Sequence, residues 1–183
     1  MNNLLKQYRE KIAPALMANF EYKNKMAVPN LNKIVINVGV GQALKDKEFI
    51  EAVVKTLERI TGQRPVKTLA KKAISNFKIR EGQIIGVMVT LRGAMMWDFV
   101  EKLVKITLPR VRDFRGISPK SFDKKGSYSL GLKEYICFPE ISQDEVERLH
   151  GLQVNVVTTA RTEAEGRALL TELGFPFKTE ENK

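Results

Sequence analysis

RPVKTLAKKAISNFKIREGQIIGVMVTLRG, residues 64–93, changes in character half-way along its length. Between Arg64 and Gly82 it contains six basic residues and one acid, with Phe77 among them. From Gln83 to Arg92 the side chains alternate as they do in a half-buried strand. The first half therefore predicts a cationic loop that faces a phosphate backbone, and the second half predicts the strand that carries this loop.

The composition predicts one compact globular domain over residues 1–183. The chain is 43% hydrophobic and 28% charged, with a net charge of +10. Within the domain we expect an N-terminal helix at 2–20, a core at 31–175 and a short polar tail at 176–183.

The positive charge is concentrated in two segments. Arg64–Gly82 contributes +5, and Lys102–Lys125, with eight basic residues and two acids, contributes +6. Pro139–Lys183, with nine acids and five basic residues, contributes −4. Such segregation gives a directional field and favours a polyanionic partner, the alternative being two unrelated solvated basic faces.

Cysteine content and hydropathy bear on the cellular compartment. Cys137 is the only cysteine, which excludes an internal disulfide and fits a reducing compartment. No apolar run reaches about 18 residues, and the N-terminus lacks the apolar region of a signal peptide. We therefore expect a cytoplasmic protein without a membrane partner.

Hydrophobic periodicity predicts an α+β fold: a single mixed, largely antiparallel sheet, helices packed on one face, and a basic protruding loop. Pro14 is expected to kink or split the first helix. Asp46 and Gly62 are expected to cap the second helix, and Thr162 with Glu165 forms a capping box for the last. The predicted helices are 2–20, 46–60, 94–108 and 162–173, and the predicted strands are 31–40, a short strand in the basic stretch, 83–92, 127–138 and 152–159.

Alternation along the strands indicates which side chains share a face. Ile34, Ile36 and Val38 are expected to face the core, so that Asn37 points the other way. Thr90 and Arg92 likewise share a face, and an open sheet face with such residues is a possible nucleic-acid platform. The helix at 94–108 is expected to pack through Met95, Phe99, Leu103 and Ile106.

Known enzyme motifs fit the sequence poorly. The glycines of VINVGVGQA, residues 35–43, suggest a dinucleotide or methyl-donor loop, but Leu44 stands where the dinucleotide fingerprint needs glycine. His150 is the only histidine. An acidic cluster that could bind Mg²⁺ consists of Glu140, Asp144, Glu145 and Glu147, but a helix that starts near Ser142 explains Asp144 and Glu145 more simply. We expect no catalytic site, metal or cofactor, and keep an RNA-modifying methyltransferase-like enzyme that uses the Gly39–Gly41 loop as the alternative.

Phe77 admits two interpretations. An aromatic side chain in a basic loop can stack on an unpaired base. Alternatively, Ile74 and Ile79 form a hydrophobic set with it, and Phe77 anchors the loop under the sheet.

Several strings, spread over the whole chain, make it closely resemble the bacterial large-subunit ribosomal protein that binds 5S rRNA, the fifth in the large-subunit numbering. They are IVINVGVG at 34–41, ITGQRP at 60–65, AKKAISNFKIREG at 70–82, VTLRG at 89–93, LPRVRDFRG at 108–116, FPEI at 138–141 and VVTTARTEAEGRALL at 156–170.

The resemblance implies a structural ribosomal protein of the cytoplasm. Its partners would be 5S rRNA in the central protuberance, P-site tRNA, neighbouring 23S rRNA and 5S-associated proteins, and a small-subunit head protein at an inter-subunit bridge; no homo-oligomer is expected. The implied 5S rRNA contacts are Asn37, Gln63, Thr90 and Arg92. The implied tRNA-proximal loop residues are Lys71, Lys72, Asn76, Phe77, Lys78 and Arg80. Residues expected at the bridge or at additional RNA are Arg110, Arg112, Arg115, Lys120, Lys124 and Lys125.

The sequence departs from the family pattern in one turn and at one further residue. The turn at 123–127 reads DKKGS where D-G-R-G-N is common, so one glycine is lost and a charge gained. Tyr135 stands where glutamine is common. Both departures affect the expected bridge more than the expected 5S rRNA contact.

Overall fold

A computed structural model describes residues 3–41, 46–141 and 149–178. It confirms the α+β class, with a single antiparallel sheet of five strands. The strands are β1 (Leu31–Gly39), β2 (Val66–Leu69), β3 (Ile84–Leu91), β4 (Tyr128–Leu132) and β5 (Leu152–Thr158), and the helices are α1 (Asn3–Gln7), α2 (Ala13–Asn19), α3 (Lys47–Thr61), α4 (Gly93–Lys102) and α5 (Glu163–Glu172). The order across the sheet is β2-β3-β1-β5-β4, so β2 lies at one edge.

The chain divides into two compact units. The first consists of described residues within 1–34, 92–130 and 155–183, and the second of those within 35–91 and 131–154. The second unit contains β2, β3 and α3, and the first contains α4 and α5. The single domain expected over 1–183 stays a prediction.

The caps of α3 confirm the sequence prediction. An Asp46 carboxylate oxygen accepts a hydrogen bond from the Phe49 N–H at 3.1 Å. At the other end Gly62 adopts a left-handed conformation, with φ 69°, and its N–H donates to the Glu58 carbonyl at 2.8 Å. These caps determine where the helix ends and therefore where Gln63 begins the following segment.

A π-helical turn comes before each of two prolines. Ahead of Pro14, the Ala13 N–H donates to the Tyr8 carbonyl, and ahead of Pro109 the Leu108 N–H donates to the Leu103 carbonyl. Both bonds reach one residue farther back than an α-helical bond. The irregularity predicted at Pro14 therefore takes the form of a π turn between α1 and α2, at Tyr8–Ile12, and the helical path is not broken.

The predicted packing face of the helix at 94–108 is partly wrong. Met95 and Ile106 are 40% and 44% exposed, whereas Met96 and Trp97 are buried with Phe99. The helix starts at Gly93, and before the π turn its inward face has ordinary α-helical spacing: Met96, Phe99, Val100 and Leu103. The π turn Leu103–Thr107 adds a residue to its turn, so Ile106 points outward and Thr107 is buried. Within the first unit, the Trp97 ring lies 5.3 Å from the ring of Tyr8.

The predicted strand at 127–138 is too long. β4 ends at Leu132, and a 3₁₀ turn at Tyr135–Cys137 follows. Tyr135, Cys137 and Phe138 are buried although the strand has ended, and the Tyr135 ring stacks on His150 with 4.1 Å between centroids.

The expected tail at 176–183 differs from the structure at its start. Phe177 pairs with Ile117 in a parallel bridge, and its ring lies 5.5 Å from those of Phe122 and Tyr128. Residues 176–178 therefore belong to the packed part of the first unit, because the Phe177 ring packs against those of Phe122 and Tyr128. Residues 179–183 lie outside the described ones.

Candidate nucleic-acid interface

Asn37 and Thr90 lie on the sheet of the second unit. Asn37 of β1 is half-buried between the buried Ile36 and Val38. Thr90 of β3 is half-buried between its two buried neighbours in that strand, Val89 and Leu91. Because side chains alternate along a strand, both point away from the apolar side of the sheet. The strand faces inferred from the sequence are confirmed at these positions.

Gln63 is exposed at the end of α3. Its N–H donates to the Thr61 hydroxyl oxygen at 3.3 Å, and that hydroxyl donates to the Leu57 carbonyl at 2.7 Å. Thr61 thus holds the Gln63 backbone. The amide side chain of Gln63 is exposed and therefore available for a partner.

Arg92 comes directly after β3 and is exposed. Its backbone is still extended, with φ −139° and ψ 166°, and it precedes the first turn of α4. An extended backbone keeps residues two apart on one side, so Arg92 continues the side of the strand that carries Thr90.

Residues 70–83, here called the basic hairpin, are closed by hydrogen bonds at both ends. At its base the Ala70 N–H donates to the Gln83 carbonyl at 2.8 Å, and the Gly82 N–H donates to the Ala70 carbonyl at 3.0 Å. Near the tip Ile74 and Ile79 exchange two bonds of 2.9 and 3.1 Å. The basic sequence is thus held by its own backbone and extends the antiparallel pair β2–β3.

The tip of the basic hairpin is a 3₁₀ turn, Ser75–Phe77, followed by Lys78 with φ 55°. Phe77 is 69% exposed and Ile74 is 46% exposed. The interpretation of Phe77 as an anchor packed on the protein is therefore wrong, because most of its side chain is exposed. The other residues expected near tRNA are all exposed: Lys71, Lys72, Asn76, Lys78 and Arg80.

The second basic segment lies in the first unit, and the six cations expected at the bridge or at additional RNA are exposed: Arg110, Arg112, Arg115, Lys120, Lys124 and Lys125. Residues 123–127, here called the Asp123 turn, are held by the Asp123 carboxylate. One of its oxygens accepts from the Lys125 N–H at 3.0 Å and from the Ser127 N–H at 2.7 Å. The turn closes without a glycine at 124, the position where the family pattern has one.

Two family models and a set of relatives match the chain. The model described as ribosomal protein L5 matches residues 24–80, and that of the ribosomal L5P family C-terminus matches residues 84–177. The chain is 56% identical to the large ribosomal subunit protein uL5 of Symbiobacterium thermophilum, over 97% of this chain and 98% of that protein. The proteins of the same name from Halothermothrix orenii and Carboxydothermus hydrogenoformans are 52% and 53% identical, each over 97% of this chain and 99% of the relative. The chain belongs to the ribosomal protein L5 family.

As an L5 family member the protein is a structural constituent of the large ribosomal subunit, located on the cytoplasmic ribosome of bacteria, and is not an enzyme. The methyltransferase-like alternative at Gly39–Gly41 is therefore wrong. Beside both glycines an added Cβ meets nothing within 4 Å, so they are not crowded by the protein, and residues 42–45 of that loop lie outside the described ones.

Neither a metal cluster nor a bilayer-spanning helix is found in the described ranges. Among those residues no group of three or more His, Cys, Asp or Glu side chains is arranged to hold a metal ion. Asp144, Glu145 and Glu147, with the helix start expected near Ser142, lie outside the described residues. No described helix is long and apolar enough to cross a bilayer.

In this L5 family chain Thr68 also lies beside the predicted residues and was not predicted from the sequence. Thr68 pairs with Gly86 across β2 and β3, on the side of the sheet that carries Asn37. Its signal in the sequence is weak, because threonine is an ordinary strand residue. Only the pairing register identifies it as a neighbour of Asn37.

Proposed function

We propose that this ribosomal protein binds 5S rRNA through Asn37, Gln63, Thr90 and Arg92. The observation that carries the proposal is that polar side chains remain accessible on the side of β1 and β3 opposite the apolar one, with an exposed amide at the end of α3. Sheet faces with such side chains recognise RNA by hydrogen bonds to bases and riboses. Arg92 adds a planar, permanently charged donor group that suits phosphate or a base edge.

The basic hairpin contacts P-site tRNA in this proposal. Support comes from the exposed cations Lys71, Lys72, Lys78 and Arg80, and from Phe77, whose ring is accessible for stacking on a base. Because the hairpin is closed by its own hydrogen bonds, its backbone is already ordered before binding. The entropy cost of binding is therefore small.

The exposed cations between Arg110 and Lys125 contact the small-subunit head protein or additional rRNA in this proposal. Neighbouring 23S rRNA and the other proteins that accompany 5S rRNA complete the set of partners. A cleft of about 460 Å³ in the second unit, lined by Lys55, Arg64 and Lys67 with one acid, Glu51, offers a further cationic surface for rRNA.

Equilibrium binding to 5S rRNA tests the main assignment. Arg92→Ala is expected to weaken binding by about 10-fold or more at about 150 mM salt, because it removes a charge-assisted contact. Lys78→Ala, at the tip of the basic hairpin, is expected to leave binding nearly unchanged. Affinity for the wild-type protein is expected to fall on the order of 10³-fold between about 50 and 200 mM salt if about six phosphates are neutralised.

A generic RNA duplex provides the control ligand. If the wild-type protein binds that duplex as tightly as 5S rRNA, or if the two variants lose equal affinity, the proposed division between sheet and hairpin is wrong.

A further inference from the structure

Gly86 marks a place in the sheet of the second unit where a side chain is missing. A Cβ built on Gly86 would lie 2.7 Å from the Thr68 hydroxyl oxygen and 3.6 Å from the Asn37 side-chain oxygen. The two polar groups therefore approach the same point from the strands on either side of β3. A glycine inside a strand commonly marks a close approach of another backbone or a ligand.

The pairing of β2 with β3 changes register next to Thr68. Thr68 pairs with Gly86, but Leu69 pairs with Ile84, so Ile85 is skipped. Bulges of this kind are found at sheet edges and redirect a side chain. Thr68 lies on the edge strand β2 and is half-buried, so its side chain remains accessible beside Asn37.

We propose that Thr68 and Asn37 together bind a ribose 2′-hydroxyl of the RNA that lies on this side of the sheet. The inference rests on the proposed binding of 5S rRNA and adds a residue and a chemical group to it. Thr68, Gly86 and Asn37 carry no charge, so a phosphate is a poor match for the point where they meet.

The chemistry of the two side chains fits a ribose. A hydroxyl and a carboxamide each donate and accept hydrogen bonds, as a 2′-hydroxyl does. Gly86 itself is buried, and the absence of a Cβ there lets the Thr68 hydroxyl and the Asn37 side chain come close together over it. A contact with the 2′-hydroxyl distinguishes RNA from DNA without reading the base.

Thr68→Val tests this inference, because valine has nearly the shape of threonine but lacks the hydroxyl. We expect 5S rRNA affinity to fall about 3- to 10-fold, the usual effect of one lost hydrogen bond. Thr68→Ser, which retains the hydroxyl, is expected to bind nearly as the wild type does. Thr56→Val on α3 is the matched control, since the Thr56 hydroxyl donates to the Ala52 carbonyl at 2.9 Å.

A scan of 5S rRNA with single 2′-deoxy substitutions identifies the partner group. At one position the deoxy substitution is expected to weaken the wild-type complex about 3- to 10-fold and to leave the Thr68→Val complex unchanged, as in a double-mutant cycle. Thermal unfolding of each variant verifies that the fold is retained.

The outcomes separate this inference from the proposed function. If Arg92→Ala and Asn37→Ala lose affinity while Thr68→Val binds as the wild type does, the role of Thr68 is overturned and 5S rRNA binding stands. If Thr68→Val weakens binding but every deoxy substitution affects both proteins equally, the ribose assignment is overturned. If Arg92→Ala and Asn37→Ala also bind as the wild type does, the proposed 5S rRNA site fails together with the inference.

Discussion

The basic hairpin and the Asp123 turn are both lysine-bearing loops with a glycine of positive φ, and they differ in what surrounds that glycine. Gly82 has φ 78° and Gly126 has φ 71°. A Cβ on Gly82 meets nothing within 4 Å. A Cβ on Gly126 lies 2.6 Å from the Thr162 carbonyl oxygen and 3.0 Å from the Gly166 Cα.

The difference shows that similar loop sequences have different roles. In the basic hairpin, glycine supplies only a backbone conformation, and the tip side chains stay exposed for a partner. In the Asp123 turn, the backbone itself packs against the start of α5, and the Gly126 carbonyl accepts from the buried Thr158 hydroxyl at 2.9 Å. The first loop is therefore open to variation without loss of fold, and the second is not.

Alanine at the two glycines gives the largest expected contrast. Gly126→Ala combines a left-handed conformation with overlap against backbone atoms, so we expect a loss of about 3 kcal/mol or more of unfolding free energy. Gly82→Ala carries only the conformational penalty, about 1 kcal/mol. Denaturant unfolding of both variants measures the difference.

Gly166 offers an independent check on the same contact. In a helix, alanine normally stabilises relative to glycine by about 1 kcal/mol. At Gly166 the added Cβ would overlap Gly126, so we expect Gly166→Ala to destabilise instead. Gly131→Ala, where nothing lies within 4 Å, is the control. Stability equal to the wild type in Gly126→Ala or Gly166→Ala would contradict the close packing.

Phe77→Ala tests whether the tip of the basic hairpin serves binding and not stability. Because Phe77 is 69% exposed, unfolding free energy is expected to change by less than about 0.5 kcal/mol. Dissociation of P-site tRNA from ribosomes assembled with the variant is expected to be about 10-fold faster, since stacking on a base is worth about 1–3 kcal/mol.

Met26→Ala, at a methionine that is 89% exposed, is the matched control for removal of an apolar side chain. Unchanged tRNA dissociation in Phe77→Ala would remove the stacking role, and a large loss of stability would show that the ring packs on the protein after all.

Much of the fold was predictable because its signals are local. Neighbouring residues determine the caps at Asp46 and Gly62 and the alternation along β1 and β3. Both features were predicted correctly. The exposure of Ile106 was not predicted, because the π turn Leu103–Thr107 moves the inward position from Ile106 to Thr107. The 69% exposure of Phe77 likewise could not be inferred from the neighbouring Ile74 and Ile79.

The candidate site was predictable to a different extent. Asn37, Thr90 and Arg92 followed from strand alternation together with the family resemblance. Thr68 did not, because its nearness to Asn37 depends on the register of two strands and on a bulge beside it. Register is set by pairing across the sheet and is not encoded in the spacing along either strand.

Glu165 lies at the start of α5, the part of the helix against which Gly126 packs, and it provides a test by pH. Its expected effect on stability is the smallest of those described. Burial alone raises the pKa of the Glu165 carboxyl, but hydrogen bonds, first among them one from the Arg161 N–H at 2.8 Å, hold that pKa below its usual range. A lowered carboxyl pKa stabilises the fold above the unfolded value, about 4.3, and this contribution is lost as the pH falls through the folded value. Glu165→Gln keeps an acceptor without the charge, so we expect the variant to lose less unfolding free energy than the wild type between about pH 5 and pH 3. Equal losses in denaturant unfolding across that window would show that the charge of Glu165 does not stabilise the helix start beneath the Asp123 turn.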